Sequence, residues 1–482
     1  MHKTLLLVFY FLYLYASCQA QVKEIQASPS LLEAPADWGK ESFSLPPSFA
    51  PSITFAGLEE VRFAPGWFDS SSIQFWTYSF AWYIEGKQAL ADKRLQQLTE
   101  DYFSGLSQSV GKINGLAAEA ISKASASFTA TNKVDGWQLF EGNVTFTDVF
   151  FSRKPIQLHI KVKESYCPQV DKHLLVFSSS PQVFDHQVWK IFDKVRTVQN
   201  CKELAQTPYH TRYHEKYELI LPKGKIHGIL ILFPGFGENP AGIQSEFKIV
   251  DPAIKQGFAI ALMKNNQQLW LQEEEKSQLS SLLQQVVKEN DIKNNNVYIG
   301  GFSSGGNVAL LLSNYLMKQE TAVKPKGGFI IDSPVDLLKL YENAQKNVAR
   351  NFSQVSVGES KMLVDLLETN FGKPENGIAK YEKHSVYTTR TSNINNVSQL
   401  KNVKIRLYTE PDTLWWKQNR GNDYEETNAY VIKSLSAHLS KKFGHTVEYI
   451  PTQNRGYRMN GARHPHSWSI VEVDALLKWM RD

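Results

Sequence analysis

The sequence is poor in cysteine, in net charge, in long apolar runs and in repeats. Only Cys18, Cys167 and Cys201 occur in 482 residues. Cys167 and Cys201 both fall in the N-terminal half, so they permit one disulfide that would tie that half alone; two buried free thiols are the alternative. The 53 basic and 48 acidic residues leave a net charge of +5, with no long basic block, which excludes a nucleic-acid partner. Beyond the N-terminus no run approaches ~18 consecutive apolar residues, so no internal membrane helix is expected. No motif repeats, which argues against a propeller or a solenoid.

The length is too great for one ordinary domain, and two or three are expected. Hydrophobic residues make up 42% and charged residues 21%, enough for a sizeable core. Aromatics are abundant at 12%, with 11 Trp, which suits either large aromatic cores or contacts with sugar or aryl groups. The first 20 residues read as a signal peptide. His2 and Lys3 precede the apolar run Thr4–Tyr15, which is too short to span a bilayer, and Ala16-Ser17-Cys18-Gln19-Ala20 supplies a cleavage site after Ala20. Export to the periplasm or the exterior follows. Cys18 offers a second outcome, a lipid-modified mature N-terminus, although Tyr15 stands where a leucine is usual.

Residues 21–60 are rich in Pro, Ser and Ala and read as an extended arm. Residues 61–205 then suggest a separate α+β domain. Within it, Ile73–Glu85 is an aromatic strand and Ala89–Val110 a helix; Gly136–Phe146, Ile156–Lys163 and His173–Ser178 are strands, and Pro181–Val195 is a second helix. From residue 206 to 482 the pattern alternates. Strands are expected at Tyr217–Leu221, His227–Phe233, Phe258–Met263, Asn296–Gly300, Gly328–Asp332, Ile405–Tyr408 and Thr446–Tyr449. Helices are expected at Phe247–Gln256, Leu271–Lys288, Asn307–Lys318 and Val471–Met480. Alternation of this kind predicts an α/β fold, a mostly parallel sheet covered on both faces. Residues 335–395 interrupt it with polar, mainly helical sequence, the place for a lid.

Gly301-Phe302-Ser303-Ser304-Gly305 is a Gly-x-Ser-x-Gly turn between a strand and a helix, the context of a nucleophile elbow. Ser303 is the candidate nucleophile. An acid and then a histidine should follow in the chain. Asp412, after the strand Ile405–Tyr408, is the first choice for the acid, with Glu410 and Asp332 as alternatives. His466, ahead of the last helix, is the first choice for the base, and His464 the alternative. The pair His464 and His466 lacks the Asp or Cys neighbours of a metal site, so no metal is expected. The loop Pro234-Gly235-Phe236-Gly237 can present backbone N–H groups to an oxyanion, with Phe236 and Ser304 as donors. Trp270, Trp415 and Trp416 are candidates to border a cleft or fill a core. Arg390, Arg420, Arg455 and Arg463 are candidates for a substrate carboxylate or, by default, structural pairs, and Glu246 is a buried-acid candidate.

Through these motifs residues 209–482 resemble the α/β-hydrolase superfamily of serine hydrolases, and the chain resembles exported bacterial hydrolases that share the closing His464-Pro465-His466-Ser467-Trp468. The resemblance implies an acyl-enzyme, most often on esters and sometimes on amides, with no metal or organic cofactor. The oxyanion loop departs from it, with Pro-Gly where relatives often have His-Gly; a backbone donor survives that change. The expected fold is therefore an α/β-hydrolase domain with a helical lid insert, preceded by a separate α+β domain. The expected function is an exported serine esterase acting on a small-molecule or glycan ester. A prolyl-oligopeptidase-like peptidase and a non-catalytic surface or sugar-binding protein are the alternatives.

Overall fold

A computed structural model of the chain describes residues 31–47, 49–86, 90–197, 208–265, 267–292 and 296–482. The expected signal peptide, Cys18 and Cys201 lie outside the described residues. Cys167 is disulfide-bonded. The chain divides into two compact units, 1–207 and 208–482.

Among its described residues the first unit is built on nine strands. They are β1 (Leu32–Glu33), β2 (Gly39–Leu45), β3 (Gly57–Phe63), β4 (Tyr78–Glu85), β5 (Ser125–Val134), β6 (Trp137–Thr147), β7 (Pro155–Cys167), β8 (Lys172–Ser180) and β9 (Arg196–Thr197). Seven of them form one antiparallel sheet in the order β2-β3-β4-β8-β7-β6-β5, while β1 pairs with β9. Residues 39–45 and 57–63 are thus strands in that sheet, not part of an extended arm. Helix α1 (Asp92–Ile113) buries Leu95, Leu98, Tyr102 and Phe103 against Phe80, Trp82 and Phe177 of the sheet. Aromatic rings dominate this core: Phe80 stacks on Phe177 at 4.2 Å, and Trp76 meets Phe146 edge-on at 5.3 Å. Two expectations change here. The strand begins at Tyr78 rather than Ile73, because the preceding aromatic residues pack in turns. Gln187–Lys194 is 3-10 turn rather than the helix expected over Pro181–Val195.

Among its described residues the second unit carries eight strands: β10 (Tyr209–Tyr213), β11 (Tyr217–Pro222), β12 (Gly228–Phe233), β13 (Phe258–Met263), β14 (Val297–Phe302), β15 (Pro325–Ile331), β16 (Lys404–Thr409) and β17 (Val447–Pro451). Their order is β10-β11-β13-β12-β14-β15-β16-β17. The β10–β11 and β11–β13 pairs are antiparallel, and every later pair is parallel. Every residue of β12, β13 and β14 is buried, as continuous apolar runs require when helices cover both faces. The helices are α2 (Pro240–Glu246), α3 (Val250–Lys255), α4 (Glu273–Glu289), α5 (Ser304–Lys318), α6 (Leu337–Arg350), α7 (Gln354–Phe371), α8 (Ala379–His384), α9 (Thr413–Arg420), α10 (Asn428–Phe443) and α11 (Val473–Arg481). Helix α5 is buried at Val308, Leu311, Leu312 and Leu316 and anchors the elbow. Helices α6, α7 and α8 form the insert between β15 and β16, with their own apolar cluster around Leu337, Tyr341, Leu367 and Tyr381. Among the described residues no helix is long and apolar enough to cross a membrane.

Candidate active site

The parallel strands β12, β14 and β15 all end at one edge of the sheet, where open α/β sheets place their ligands. Ser303 follows β14 directly and takes φ 53° and ψ −127°, a strained conformation for a residue with a side chain. Its N–H donates to the Ile331 carbonyl at 2.9 Å, and its carbonyl accepts from Gly306 N–H at 3.0 Å, so the turn is held at both ends. Glycine is obligatory beside it. A Cβ on Gly301 would stand 2.2 Å from the Gly305 carbonyl, and one on Gly305 would stand 2.3 Å from the Pro234 oxygen.

Asp332 follows the neighbouring strand β15, also with positive φ (45°), and is 3% exposed. Its Oδ2 lies 2.6 Å from His466 Nδ1. Its backbone is fixed by two bonds: the Asp332 N–H donates to the Tyr408 carbonyl at 2.9 Å, and Asn428 Nδ2 donates to the Asp332 carbonyl at 2.9 Å. The His466 ring packs on Phe302, the residue before the serine, at 4.5 Å between centroids. Ser303, His464 and His466 line one cavity of about 300 Å³, together with Phe236 and Ser304.

Asp412 stands elsewhere. Its Oδ1 caps α9 by accepting Trp415 N–H at 3.0 Å, and its Oδ2 pairs with Arg463 at 2.6 Å. The acid facing the histidine is therefore Asp332, not Asp412. The reason is sheet order: β15 lies next to β14, whereas β16 is one strand further away. Glu410 is buried and fully used by the loop ahead of His466. It accepts Arg455 N–H and Gly456 N–H at 3.0 Å each and the Thr452 hydroxyl at 2.9 Å, and it pairs with Arg463. His464 packs its ring on Trp415 at 4.6 Å. Burial, then Arg458, His466 and Arg420, push the His464 imidazole down to about 2, so it stays neutral.

The loop after β12 is tied to the histidine loop by Glu238. Its Oε2 accepts Gly235 N–H at 2.9 Å, and its Oε1 accepts the Trp468 indole N–H at 2.8 Å. Burial raises this carboxyl to about 7, against the lowering effect of the two hydrogen bonds. Among the described residues no protein acceptor takes the N–H of Phe236 or of Ser304. A Cβ on Gly235 would lie 3.5 Å from the Ser303 Cβ, so this loop passes directly beside the serine.

The other singled-out residues fall apart. Trp416 lines the cavity, while Trp270 packs on Phe371 at 4.6 Å. Arg390 pairs with Glu342 at 2.6 Å, Arg463 is the clamp just described, and Arg420 lines the cavity with Glu359 at 3.5 Å. Arg455 serves through its backbone N–H, and Glu246 accepts Met459 N–H at 3.0 Å. Glu238, Asn428 and Arg458 escape sequence reasoning. Glu238 lies two residues beyond Phe236 and could have been flagged there; the other two carry no local signal. Among the described residues no group of three or more His, Cys, Asp or Glu side chains could hold a metal ion.

No protein-family model and no curated protein sequence matches this chain. Solved structures similar to it include carboxyl esterase 2 from the fungus Tuber melanosporum, at 12% identity and TM-score 0.38, covering 57% of this chain and 85% of that one. A thermostable esterase from Pseudomonas putida is similar at 15% identity and TM-score 0.38, covering 57% of this chain and 81% of that one. A Rhizomucor miehei esterase is similar at 14% and 0.36, covering 63% and 92%. At such values the likeness adds no detail about the site. Residues 208–482 have an α/β-hydrolase fold, and what carries that statement is their own strand order, the serine elbow after β14 and the histidine loop ahead of the last helix.

Proposed function

We propose that the protein is an exported serine hydrolase that cleaves carboxylic esters of small molecules or glycans through an acyl-enzyme. The observation that carries the reading is the 2.6 Å contact of Asp332 with His466, which lines one cavity with the elbow serine. Asp332 fixes the imidazole with Nδ1 protonated, leaving Nε2 free to act as the base, and it stabilises the cation that forms. His466 takes the Ser303 proton as Oγ bonds to the acyl carbon. The carbonyl electron pair moves to oxygen, where the N–H groups of Phe236 and Ser304 and the start of α5 meet the charge. The tetrahedral carbon then expels the alcohol oxygen, which receives the proton from His466. Water repeats the sequence: its proton goes to His466, its oxygen bonds to the acyl carbon, and Ser303 Oγ leaves and is reprotonated. The acid is released. Helices α6 and α7 border the same cavity through Leu340, Asn343 and Leu363, which supports reading the insert as a lid.

Labelling with a fluorophosphonate probe tests the assignment. Wild type is expected to label and Ser303→Ala is not; equal labelling of both would falsify the nucleophile.

A further inference from the structure

The cavity carries a charge that acyl transfer does not use. Arg458 lies in the loop between β17 and His466 and lines the cavity with Ser303 and His466. It is half-buried, and its guanidinium sits 5.9 Å from the centroid of the Phe302 ring, on which His466 also packs. The charge is thus anchored on the residue that immediately precedes the nucleophile.

Four other arginines of this unit each meet a carboxylate within 3 Å. Arg350 meets Glu426 at 2.6 Å, Arg390 meets Glu342 at 2.6 Å, Arg406 meets Glu448 at 2.9 Å and Arg463 meets Asp412 at 2.6 Å. Among the described residues no carboxylate comes within ion-pairing distance of Arg458, and no acceptor takes its side-chain N–H groups. The acids that act on it electrostatically are Glu246 and Glu238, and both already accept other N–H groups. Arg420 adds a second positive charge at the cavity wall, with Glu359 only at 3.5 Å. A half-buried guanidinium with its donors unused is costly. Its planar fork matches a carboxylate, which it can hold through two parallel hydrogen bonds.

We propose that Arg458 binds a carboxylate of the substrate, so that the esters this site takes carry a negative charge on the same small molecule as the scissile carbonyl. The proposal rests on the ester-hydrolase reading and names its substrate class. The cation selects among esters by binding the charged end, while Ser303 and His466 act on the other.

The test uses the full chain and the monoethyl esters of succinate, glutarate and adipate, each beside the neutral ethyl ester of the same length in which a primary amide replaces the carboxylate. The readout is the ratio of kcat/KM for the charged ester to that for the neutral one. Wild type is expected to favour a charged ester by about tenfold or more, the weight of one charge-assisted hydrogen bond. Arg458→Met should bring the ratio close to one, and Arg458→Lys, with charge but no fork, should fall between. A wild-type ratio of one or less at all three lengths overturns the proposal and needs no variant to fold; so does an undiminished ratio in Arg458→Met. Calorimetry with the three free dicarboxylates keeps the two readings apart. If no ester is turned over but a dicarboxylate binds wild type and Ser303→Ala and not Arg458→Met, the hydrolase reading falls and the anion site stands. Turnover without charge preference sinks the anion site alone. Absence of both turnover and dicarboxylate binding sinks both.

Discussion

Strands β15 and β16 lie side by side, end at the same edge of the sheet, and are each followed by acids that meet the 455–466 segment. After β15 the acid is Asp332, and its partner is an imidazole. After β16 the acids are Glu410 and Asp412, and their partner is the Arg463 guanidinium. A guanidinium holds its proton at every working pH, so that pair can only position. An imidazole has one ring nitrogen that can take up and release a proton while the other stays bound to the acid, so that pair can support proton transfer. On the proposed reading the two ends divide the work: one clamps the loop, the other uses what the loop presents.

The sharpest way to break this contrast is Asp332→Asn. It removes the charge that stabilises the protonated imidazole and can leave His466 with the wrong nitrogen protonated. The expected loss in kcat is about 10³- to 10⁴-fold, with KM little changed. Steady-state kinetics on any accepted ester decide it, and a loss below tenfold would move the triad acid elsewhere.

Glu410→Gln attacks the clamp. The amide nitrogen would face either the N–H groups of Arg455 and Gly456 or the Arg463 guanidinium, donor against donor, and the Arg463 ion pair would be reduced to Asp412, beside the Gly456 carbonyl. A cost of about 3 kcal/mol is expected for breaking one side of a buried pair, read from chemical unfolding of the full chain. The rate should also fall, because the loosened segment carries His466. Unchanged stability would mean that the loop does not depend on the clamp.

Glu238 is a third kind of acid near the site, one held mainly by neutral donors. With its folded pKa raised to about 7 from an ordinary 4.5, the folded state binds more protons than the unfolded one between those values. Stability is therefore fully supported below about pH 4.5, and it is lost as pH rises through 7, by on the order of 2 kcal/mol. Unfolding curves taken at pH 5 and pH 8 should show that decline in wild type and a smaller one in Glu238→Gln. Parallel declines would take Glu238 out of the pH response.

What could be seen in the sequence was what is local. The elbow was legible because its glycines are forced by contacts within a few residues and with the adjacent β12 end. The strands expected at His227–Phe233, Phe258–Met263 and Asn296–Gly300 were legible because a strand buried on both faces is apolar nearly throughout. The choice between Asp332 and Asp412 was not legible. Both are acids just past strands, and only the neighbour order of β14, β15 and β16 separates them. Arg458 was hidden for a related reason, since its lack of a partner is a property of the folded cavity. In the first unit, β5 escaped because only Ala126 and Phe128 of its ten residues are buried.

The smallest effect tests the contrast most directly. Asp412 is the acid that sequence alone favours, and it sits where a triad acid could have been. In Asp412→Asn the helix cap survives, because Asn caps as well as Asp. What is lost is its ion pair with Arg463, in which the two side chains are 21% and 27% exposed. Such a pair contributes about 1 kcal/mol at most. Arg463 keeps Glu410 and the Gly456 carbonyl at 2.7 Å, so the loop should stay in place. The expected outcome is a stability change below about 1 kcal/mol and a kcat within about twofold of wild type. A large fall in kcat here, beside a small one in Asp332→Asn, would reverse the division between the two strand ends. The 2.6 Å contact of Asp332 with His466 would then be a structural bond, and Asp412 would have to reach the site through a rearrangement of Arg463.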